Sequence, residues 1–567
     1  MKGLLERLKA ISQLPDSDKS SWLENATDSV SFLKDNYDRE SEIILYANAS
    51  HAFVQTVLAP TQNITPPDKE DLLGMDILPS SSWCIQRSYG GGEEHRVYLE
   101  PPLAYCGCNS LTDGEKLVFI RPFEGVESEK TQIEISQKLV HSLSLHFVEE
   151  RQAYCRLDNK GDIQTVIKVY HDEGNDSWSD TRLVSILAKD LATYMALTST
   201  SLVVKFDFNR FIPSGFDDWS GAPQEYYDAN DLFYRFRTIP NHASYACGCF
   251  ILRTQITEAD LIKEWKAEED STCKQYETFK AYDRKNGQCV EVSCSPDHTA
   301  NYFIESDLPW EISPVFFRAE VLVRYKNDPE KYRLTDRSIS CRNSWYLDTY
   351  DINEEGQVHT YLRYLAKLPY EEQLYWKSFN EWPKTGISKR AYETDILGEF
   401  SSEDEPLENL RVMVSRLDES QPPWWKYRGQ EMIDALHYPA TDSPSEWGDE
   451  LLSLDQLLVE GFLVTSLRTI ADENDAKYEK DWGSLMLLEI VLTARGKEND
   501  HAKKIVAPLK ELHNLRISMK AHGDLEGRST ATKKARRDFE TLRHQYKDLI
   551  SRLHESMKLI IGTLLEE

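Results

Sequence analysis

The pattern of apolar residues changes in character near residue 400, and this change limits the folds that the chain can adopt. Before it, apolar residues come in short β-branched and aromatic runs, such as Leu-Val-Phe-Ile at 117–120, separated by clusters of proline and glycine. Runs of this kind are typical of strands joined by turns. After it, apolar residues such as Leu549, Leu553 and Met557 recur every three or four positions over long stretches. That spacing predicts amphipathic helices.

We therefore predict a multidomain protein in which an α+β N-terminal and middle region is followed by an all-α C-terminal helical bundle. A chain of 567 residues is long enough for about three or four domains. The predicted segments are a helical lead-in at 1–40, an α+β domain at 41–210, an aromatic-rich α+β domain at 211–398, an acidic linker at 399–406 and the helical bundle at 406–567. The two α+β segments form either separate domains or one composite unit.

Individual helices are predicted where the three-to-four spacing persists. In the α+β region we expect helices at 131–149, 181–197, 258–269 and 370–382. In the bundle we expect helices at 406–417, 448–471, 483–494, 500–521 and 529–565.

Composition excludes a disordered chain. Aromatic residues make up 11% of the sequence, a content that disordered proteins lack. The first residues alternate apolar and charged side chains, so they do not form the uninterrupted apolar run of a signal peptide. The ten cysteines are scattered, without the density of a disulfide-stabilised secreted domain. We expect a soluble cytoplasmic protein with no membrane partner.

Charge is distributed unevenly along the chain. Residues 501–567 contain 14 Lys or Arg and nine Asp or Glu, which gives a net charge of +5. The whole chain has a net charge of −29, so residues 1–500 have a net charge of −34. The basic end includes the cluster Lys-Lys-Ala-Arg-Arg at 533–537. An acidic protein as a whole repels phosphate backbones, and a nucleic-acid partner therefore requires a local basic region such as this one.

The segment 505–523 holds the residues with the clearest chemical potential. Its apolar residues form one stripe of a helix, and Arg516 projects inside that stripe, with His522 at its edge next to Gly523. A guanidinium directed into a bundle is costly unless an anion or a hydrogen-bonding group meets it. Such a pair suits phosphate chemistry, because imidazole moves protons near neutral pH and guanidinium stabilises charge developing on phosphorus.

The spacing Arg516-x5-His522, embedded in Leu-His-Asn-Leu-Arg at 512–516 and Ala-His-Gly at 521–523, resembles the motif of the HEPN superfamily. The resemblance covers about residues 448–567, and the N-terminal region is not assigned to a family. Members of that superfamily are bundles of four or five helices and are usually dimeric. Many are metal-independent ribonucleases of bacterial toxin and antiphage systems. Many active members have Asn or Asp directly after the arginine, whereas this chain has Ile517.

The resemblance implies an endoribonuclease that needs neither a metal nor a cofactor. Its catalytic residues are Arg516 and His522, and Asn514 or Ser518 supplies the supporting polar group that Ile517 does not. The residues expected to bind flanking RNA phosphates are Lys520, Lys533, Lys534, Arg536 and Arg537. The resemblance further implies a homodimer and a role in antiviral defence by abortive infection. A phage or host protein is then the trigger that the N-terminal sensing region recognises.

Two alternatives remain open from the sequence. In the first, the bundle is a non-catalytic HEPN-like module for dimerisation or protein binding, and Arg516 is a structural residue paired with a carboxylate. In the second, the chain is an enzyme whose site lies in the mixed region and follows no motif that can be read from the sequence.

Cysteine and histidine residues elsewhere favour structural roles. Two Cys-Gly-Cys motifs, at 106–108 and 247–249, offer four thiols, but zinc motifs usually leave two to four residues between ligands. Both motifs lie beside apolar strand-like residues, where cysteine is commonly a small core residue. His141, His146 and His359 lie in helix-like and strand-like segments, and we expect them to be partly buried side chains rather than ligands.

Overall fold

The structure, a computed structural model, describes most of the chain in two compact units. The described residues are 2–12, 31–33, 35–37, 42–49, 51–78, 80–89, 95–123, 125–126, 131–172, 181–211, 225–269, 274–399, 406–520 and 525–565. The first unit comprises Met1–Asp158 and Asp162–Lys274, and the second comprises Asn159–Gly161 and Gln275–Glu567. The predicted acidic linker falls largely on residues 400–405, which lie outside the described residues.

The first unit is built mainly of antiparallel strands with short helices between them. Its helices are α1 (Lys2–Ser12), α2 (Lys69–Gly74), α3 (Gln137–Ser142), α4 (Ala188–Thr198) and α5 (Glu258–Glu269). Its strands are β1 (Glu42–Ala49), β2 (Ala52–Pro60), β3 (Cys84–Tyr89), β4 (His95–Glu100), β5 (Glu115–Lys116), β6 (Val118–Arg121), β7 (Gln132–Ile135), β8 (His146–Val148), β9 (Ala153–Leu157), β10 (Ile163–Asp172), β11 (Thr181–Leu187), β12 (Thr200–Phe211), β13 (Glu225–Ala229), β14 (Leu232–Ile239) and β15 (Ala243–Leu252).

One large antiparallel sheet organises this unit. Its strand order is β13-β14-β15-β12-β2-β1-β11-β10-β9-β8, with β5 paired to β2, so it includes strands from both sides of residue 210. Successive residues of β2 point to opposite faces, since Val54 and Leu58 belong to one buried cluster while Val57 and Ala59 belong to another. Both faces of the sheet are therefore covered at its centre, which explains the nearly continuous apolar sequence of its central strands.

The second unit begins with a smaller mixed region. Its helices are α6 (Val323–Asn327), α7 (Leu362–Leu365), α8 (Tyr370–Phe379) and α9 (Lys389–Ala391). Its strands are β16 (Thr278–Asp283), β17 (Gln288–Ser293), β18 (Pro314–Phe317), β19 (Tyr332–Leu334), β20 (Ile339–Cys341), β21 (Trp345–Leu347), β22 (Asp351–Ile352), β23 (Val358–Tyr361) and β24 (Asn380–Glu381). One sheet has the order β17-β16-β18-β23-β22, with β24 on β18, and a second has the order β19-β20-β21.

From residue 406 the second unit is helical. Its helices are α10 (Pro406–Ser420), α11 (Gln430–Asp434), α12 (Pro444–Leu458), α13 (Val464–Glu473), α14 (Ser484–Ala494), α15 (Asn499–Lys520), α16 (Leu525–Phe539) and α17 (Leu542–Leu565). Their apolar faces form one continuous buried cluster, inside which the Trp447 indole donates a hydrogen bond to Gln545 Oε1 at 3.0 Å. The predicted class, α+β followed by helices, is confirmed. No helix in the described ranges is long and apolar enough to cross a membrane.

Two predicted helices of the α+β region are wrong in whole or in part. Residues 131–149 form β7, α3 and β8, and Ser144 adopts a positive φ of 54° that ends the helical conformation. The helix predicted at 181–197 begins only at Ala188, because residues 181–187 form β11 between β1 and β10. In both segments, pairing within a sheet outweighs a weak local helical pattern.

Two long predicted helices of the bundle are each divided. The predicted helix at 448–471 is α12 and α13, and the one at 529–565 is the second part of α16 followed by α17. The second break coincides with Glu540, whose φ is +68°. Breaks of this kind turn the chain back on itself and let consecutive helices share one core.

The glycines of the two Cys-Gly-Cys motifs have structural roles. Gly107 has a φ of +64°, the left-handed region that glycine adopts without a steric cost. A Cβ on Gly248 would overlap the Phe233 carbonyl oxygen and the Tyr234 Cβ of the adjacent strand β14. The repeated motif therefore reflects two local backbone requirements.

We predict that Gly248→Ala lowers the free energy of unfolding by about 1–3 kcal/mol, because β14 must move to accommodate the added methyl group. Gly74→Ala is the matched control, since its Cβ would meet no atom within 4 Å. Scanning calorimetry of the full chain measures both effects. Equal melting temperatures for Gly248→Ala and wild type would contradict this packing interpretation.

Candidate functional site

Helix α15 carries the predicted catalytic arginine on its partly buried face. Leu509, Leu512 and Met519 are buried in the helical core, as the apolar stripe predicts. Arg516 lies between them along the helix, and its side chain retains 32% of its accessible surface. The guanidinium is therefore at the edge of the core, where solvent or a ligand can reach it.

Helix α12 packs against α15 and supplies the anion that meets Arg516. A Cβ on Gly448 would lie only 3.3 Å from the Met519 Cβ, so the glycine permits a close approach of the two helices. Asp455 lies within the apolar face of α12, beside Leu451 and Leu454, and its side chain is completely buried. A buried carboxylate requires compensation by cations or hydrogen-bond donors.

The Asp455 carboxylate is shared by two side chains of α15. His513 Nδ1 lies 3.0 Å from Asp455 Oδ1, within hydrogen-bond distance. Arg516 Nε lies 3.7 Å from Asp455 Oδ2, and Arg516 Nη2 lies 3.9 Å from Glu460 Oε1. We refer to Asp455, His513 and Arg516 as the α12–α15 cluster.

Nearby carboxylates balance the positive charge of Arg516, but its guanidinium makes no hydrogen bond with them. Its guanidinium donates no hydrogen bond to any residue in the described part of the chain, and its Nε is buried without an acceptor. An arginine presents several N–H donors in a planar fork that fits carboxylate or phosphate oxygens. The donors of Arg516 are thus available to an anionic ligand at the partly exposed side of the cluster.

The electrostatics of the cluster follow from the burial of its carboxylate. Burial raises the pKa of Asp455 above its ordinary value, while the hydrogen bond from His513 and the positive charge of Arg516 act in the opposite direction. If Nδ1 of His513 is the protonated nitrogen, it donates to Asp455 and leaves Nε2 as an acceptor. The arrangement can therefore hold an imidazole in one orientation beside a guanidinium.

The predicted RNA-binding residues differ in their availability. Three of them form ion pairs: Lys520 with Asp449, Arg536 with Asp442 and Arg537 with Asp538. Lys533 and Lys534 are exposed and form no ion pair with a described residue. The basic surface of α16 is consequently weaker than its sequence suggests, since carboxylates from α16 and the segment before α12 offset part of its charge.

Two of the remaining predicted site residues, Asn514 and Ser518, lie in the last turns of α15. Ser518 donates from its hydroxyl to the Asn514 carbonyl at 2.9 Å, a bond within one turn of α15. Asn514 and Ile517 are exposed. His522 lies outside the described residues.

Sequence reasoning missed His513 and Asp455 as site residues. His513 precedes Arg516 by three positions, a separation that places two side chains on the same helical face, so this signal was present in the sequence. Asp455 is an acidic residue inside an apolar helical stripe, and this position was a second signal of a site residue in the sequence. Their juxtaposition joins residues 58 positions apart and depends on how α12 packs against α15.

The cysteines of the two motifs lie mainly in the core of the first unit. Cys106, Cys108 and Cys249 belong to one buried cluster, and burial raises the pKa of the Cys108 thiol to about 12. The Cys108 thiol donates to Asp71 Oδ2 at 3.2 Å. These properties are those of neutral core thiols.

Comparison of the chain with protein-family models, with curated proteins and with solved structures finds no match. The residues of the α12–α15 cluster and their geometry are therefore the basis for assigning a function.

The buried His359 of the second unit is a structural histidine. Its ring is 1% exposed, and Nε2 accepts a hydrogen bond from the Ser388 backbone N–H at 3.0 Å. Burial lowers the pKa of His359 to about 4. The folded chain therefore holds this imidazole in its neutral form at neutral pH.

We predict that His359 makes the stability of the second unit depend on pH. The unfolded chain binds the proton with a pKa of about 6.5, so its contribution is complete above pH 6.5 and is lost as the pH falls toward 4, with a slope approaching about 1.4 kcal/mol per pH unit. His359→Gln removes that slope, and the exposed His501→Gln is the control. Urea unfolding at several pH values measures it. Parallel pH profiles for wild type and His359→Gln would exclude this role.

Proposed function

We propose that the helical region after residue 406 is a HEPN-like, metal-independent endoribonuclease domain. The observation that carries this proposal is the state of Arg516, whose charge is balanced by a buried carboxylate while its hydrogen-bond donors remain uncommitted. Its buried Nε has no acceptor in the described chain, and an unpaired buried donor is costly. An RNA phosphate is an anion that satisfies them and fits the motif resemblance.

In the proposed reaction an RNA 2′-hydroxyl attacks the adjacent phosphorus and expels the 5′-oxygen of the next nucleotide. His522 acts as the general base that takes the proton of the 2′-hydroxyl or as the general acid that protonates the leaving 5′-oxygen. Arg516 stabilises the charge that develops on the phosphate oxygens. Asp455 is a positioning residue that holds Arg516 and His513 in register on α15. Lys533 and Lys534, which form no ion pair with a described residue, contact flanking phosphates and supply salt-dependent affinity.

The long N-terminal part is proposed to sense a trigger. It contains most of the negative charge, which disfavours an RNA partner for that region and suits protein recognition. In this proposal a phage or host protein acts on the N-terminal region of a homodimer and releases RNA cleavage as an abortive-infection response. This biological role depends on the resemblance alone.

A second candidate is a non-catalytic HEPN-like module for dimerisation or protein binding. The pairing of Lys520, Arg536 and Arg537 with nearby carboxylates favours it, since these cations are partly occupied without RNA. In this alternative Asp455 stabilises α15 through His513 and Arg516, and no RNA chemistry follows.

We predict that the purified full-length protein, with its trigger where one is required, cleaves RNA in the presence of EDTA. Arg516→Ala and His522→Ala should each lower the cleavage rate by about 100-fold or more, the typical cost of losing a charge-stabilising or proton-transferring group. Lys503→Ala and His501→Ala, on the first turns of the same helix, are matched controls that should retain the rate. Gel analysis of labelled RNA measures all five proteins.

Two results separate the candidates. Equal activity of wild type, Arg516→Ala and His522→Ala, together with full protection against phage by all three, would exclude the catalytic proposal. Loss of RNA cleavage and protection in both variants, with the dimer retained, would exclude the non-catalytic module.

We predict that Asp455→Asn lowers kcat by about tenfold with little change in KM, because the guanidinium loses its orienting charge while the RNA-binding surface remains. Glu489→Gln is the matched control, since Glu489 also forms an ion pair with α15, to Lys510 at 2.7 Å, away from the cluster. Steady-state kinetics on a short RNA measures both. A fall in melting temperature without any change in kcat would assign Asp455 a structural role only.

A further inference from the structure

A polar cleft of about 520 Å3 opens in the second unit, away from the α12–α15 cluster. It lies between the turn after β19, helix α9, the segment before α12 and the first residues of α17. Five Lys or Arg and five Asp or Glu side chains line it. Because these charges balance, the cleft does not favour a polyanion such as RNA, and a neutral ligand rich in donors and acceptors suits it better.

Two acidic residues of the cleft differ sharply in their partners. Asp351 receives two hydrogen bonds from Arg390, at 2.9 and 2.8 Å, and a third from the Ser388 hydroxyl at 2.8 Å. Asp336, in the turn between β19 and β20, forms neither a hydrogen bond nor an ion pair through its carboxylate with any described residue. Burial raises the pKa of Asp336, although the charges of Arg411, Arg390 and Arg543 oppose this effect. Its carboxylate lines the cleft and can accept hydrogen bonds from a ligand there.

Arg543, near the start of α17, is the complementary donor. Its Nη1 donates to the Pro439 carbonyl at 2.6 Å, and its guanidinium lies over the Tyr438 ring, 5.3 Å from the centroid. It forms no ion pair with a carboxylate of the described chain. The remaining N–H donors of Arg543 are therefore available to a ligand in the cleft.

We propose that this cleft binds a guanine base, with Asp336 accepting hydrogen bonds from its N1–H and 2-amino groups and Arg543 donating to its O6 and N7. Guanine is neutral and carries these donors and acceptors on adjacent edges, and arginine commonly pairs with O6 and N7. Adenine does not offer two adjacent donors to a carboxylate. The cleft volume accommodates a base with its ribose.

The test uses the full-length protein and isothermal titration calorimetry with guanosine, adenosine, xanthosine and GMP. We expect guanosine to bind at least tenfold more tightly than adenosine or xanthosine, because a site built for specific donors rejects analogues that lack them. Xanthosine replaces the 2-amino group by a carbonyl oxygen, which repels the Asp336 carboxylate. GMP binding no more tightly than guanosine would place recognition at the base, as proposed. GMP bound at least tenfold more tightly than guanosine, together with equal binding of guanosine and adenosine, would place recognition at the phosphate and overturn the proposal.

The decisive variant is Asp336→Asn, whose amide can donate to the xanthosine carbonyl oxygen. We expect this variant to lose guanosine affinity at least tenfold and to prefer xanthosine, a reversal that a merely structural role would not produce. Asp348→Asn, whose carboxylate pairs with Lys367 outside the cleft, should behave as wild type. Guanosine affinity that is unchanged in Asp336→Asn would overturn the proposal. If circular dichroism shows that Asp336→Asn does not fold, the wild-type protein alone tests the proposal. Equal binding of guanosine and xanthosine, or no binding of guanosine at millimolar concentration, then overturns the proposal.

Discussion

The buried carboxylate of Asp455 is the group on which the C-terminal site depends. An ionised carboxylate without partners inside an apolar core is strongly destabilising, so the contact between α12 and α15 must bring donors or cations to it. His513 and Arg516 meet this requirement from one face of α15. Together with the apolar stripe of α15, this contact places the Arg516 guanidinium at the edge of the core. The packing of α12 against α15 thus leaves a partly exposed arginine beside a buried carboxylate.

The apolar pattern of the sequence was sufficient to predict the helices that depend on local spacing. Helix α15 spans Asn499–Lys520 against a prediction of 500–521, and α5 spans Glu258–Glu269 as predicted. The segment 131–149 failed because its short apolar stretches pair with β6 and β9, and strand pairing is a long-range property. Helix breaks such as the one at Glu540 also depend on the packing of the following helix.

The candidate site shows the same division between local and long-range information. The position of Arg516 inside the apolar stripe followed from helical geometry, and its need for an anionic partner followed from the cost of burying charge. The sequence did not identify that partner, because any of the many carboxylates of an acidic chain could satisfy the electrostatic requirement. Only the packing of α12 against α15 selects Asp455, and the same packing adds His513 to the site.

Helix α12 also connects the α12–α15 cluster to the polar cleft of the second unit. Lys326, which lines the cleft, forms ion pairs with Glu446 at 2.7 Å and with Glu450 at 2.6 Å on α12. Glu446 in turn accepts hydrogen bonds from the backbone of Ala440 and Thr441, which also line the cleft. Asp455 lies nine residues after Glu446, about 14 Å along a rigid helix. Breaking one side of such a buried ionic network costs about 3–5 kcal/mol, so the network stabilises the position of α12, the helix that also carries Asp455.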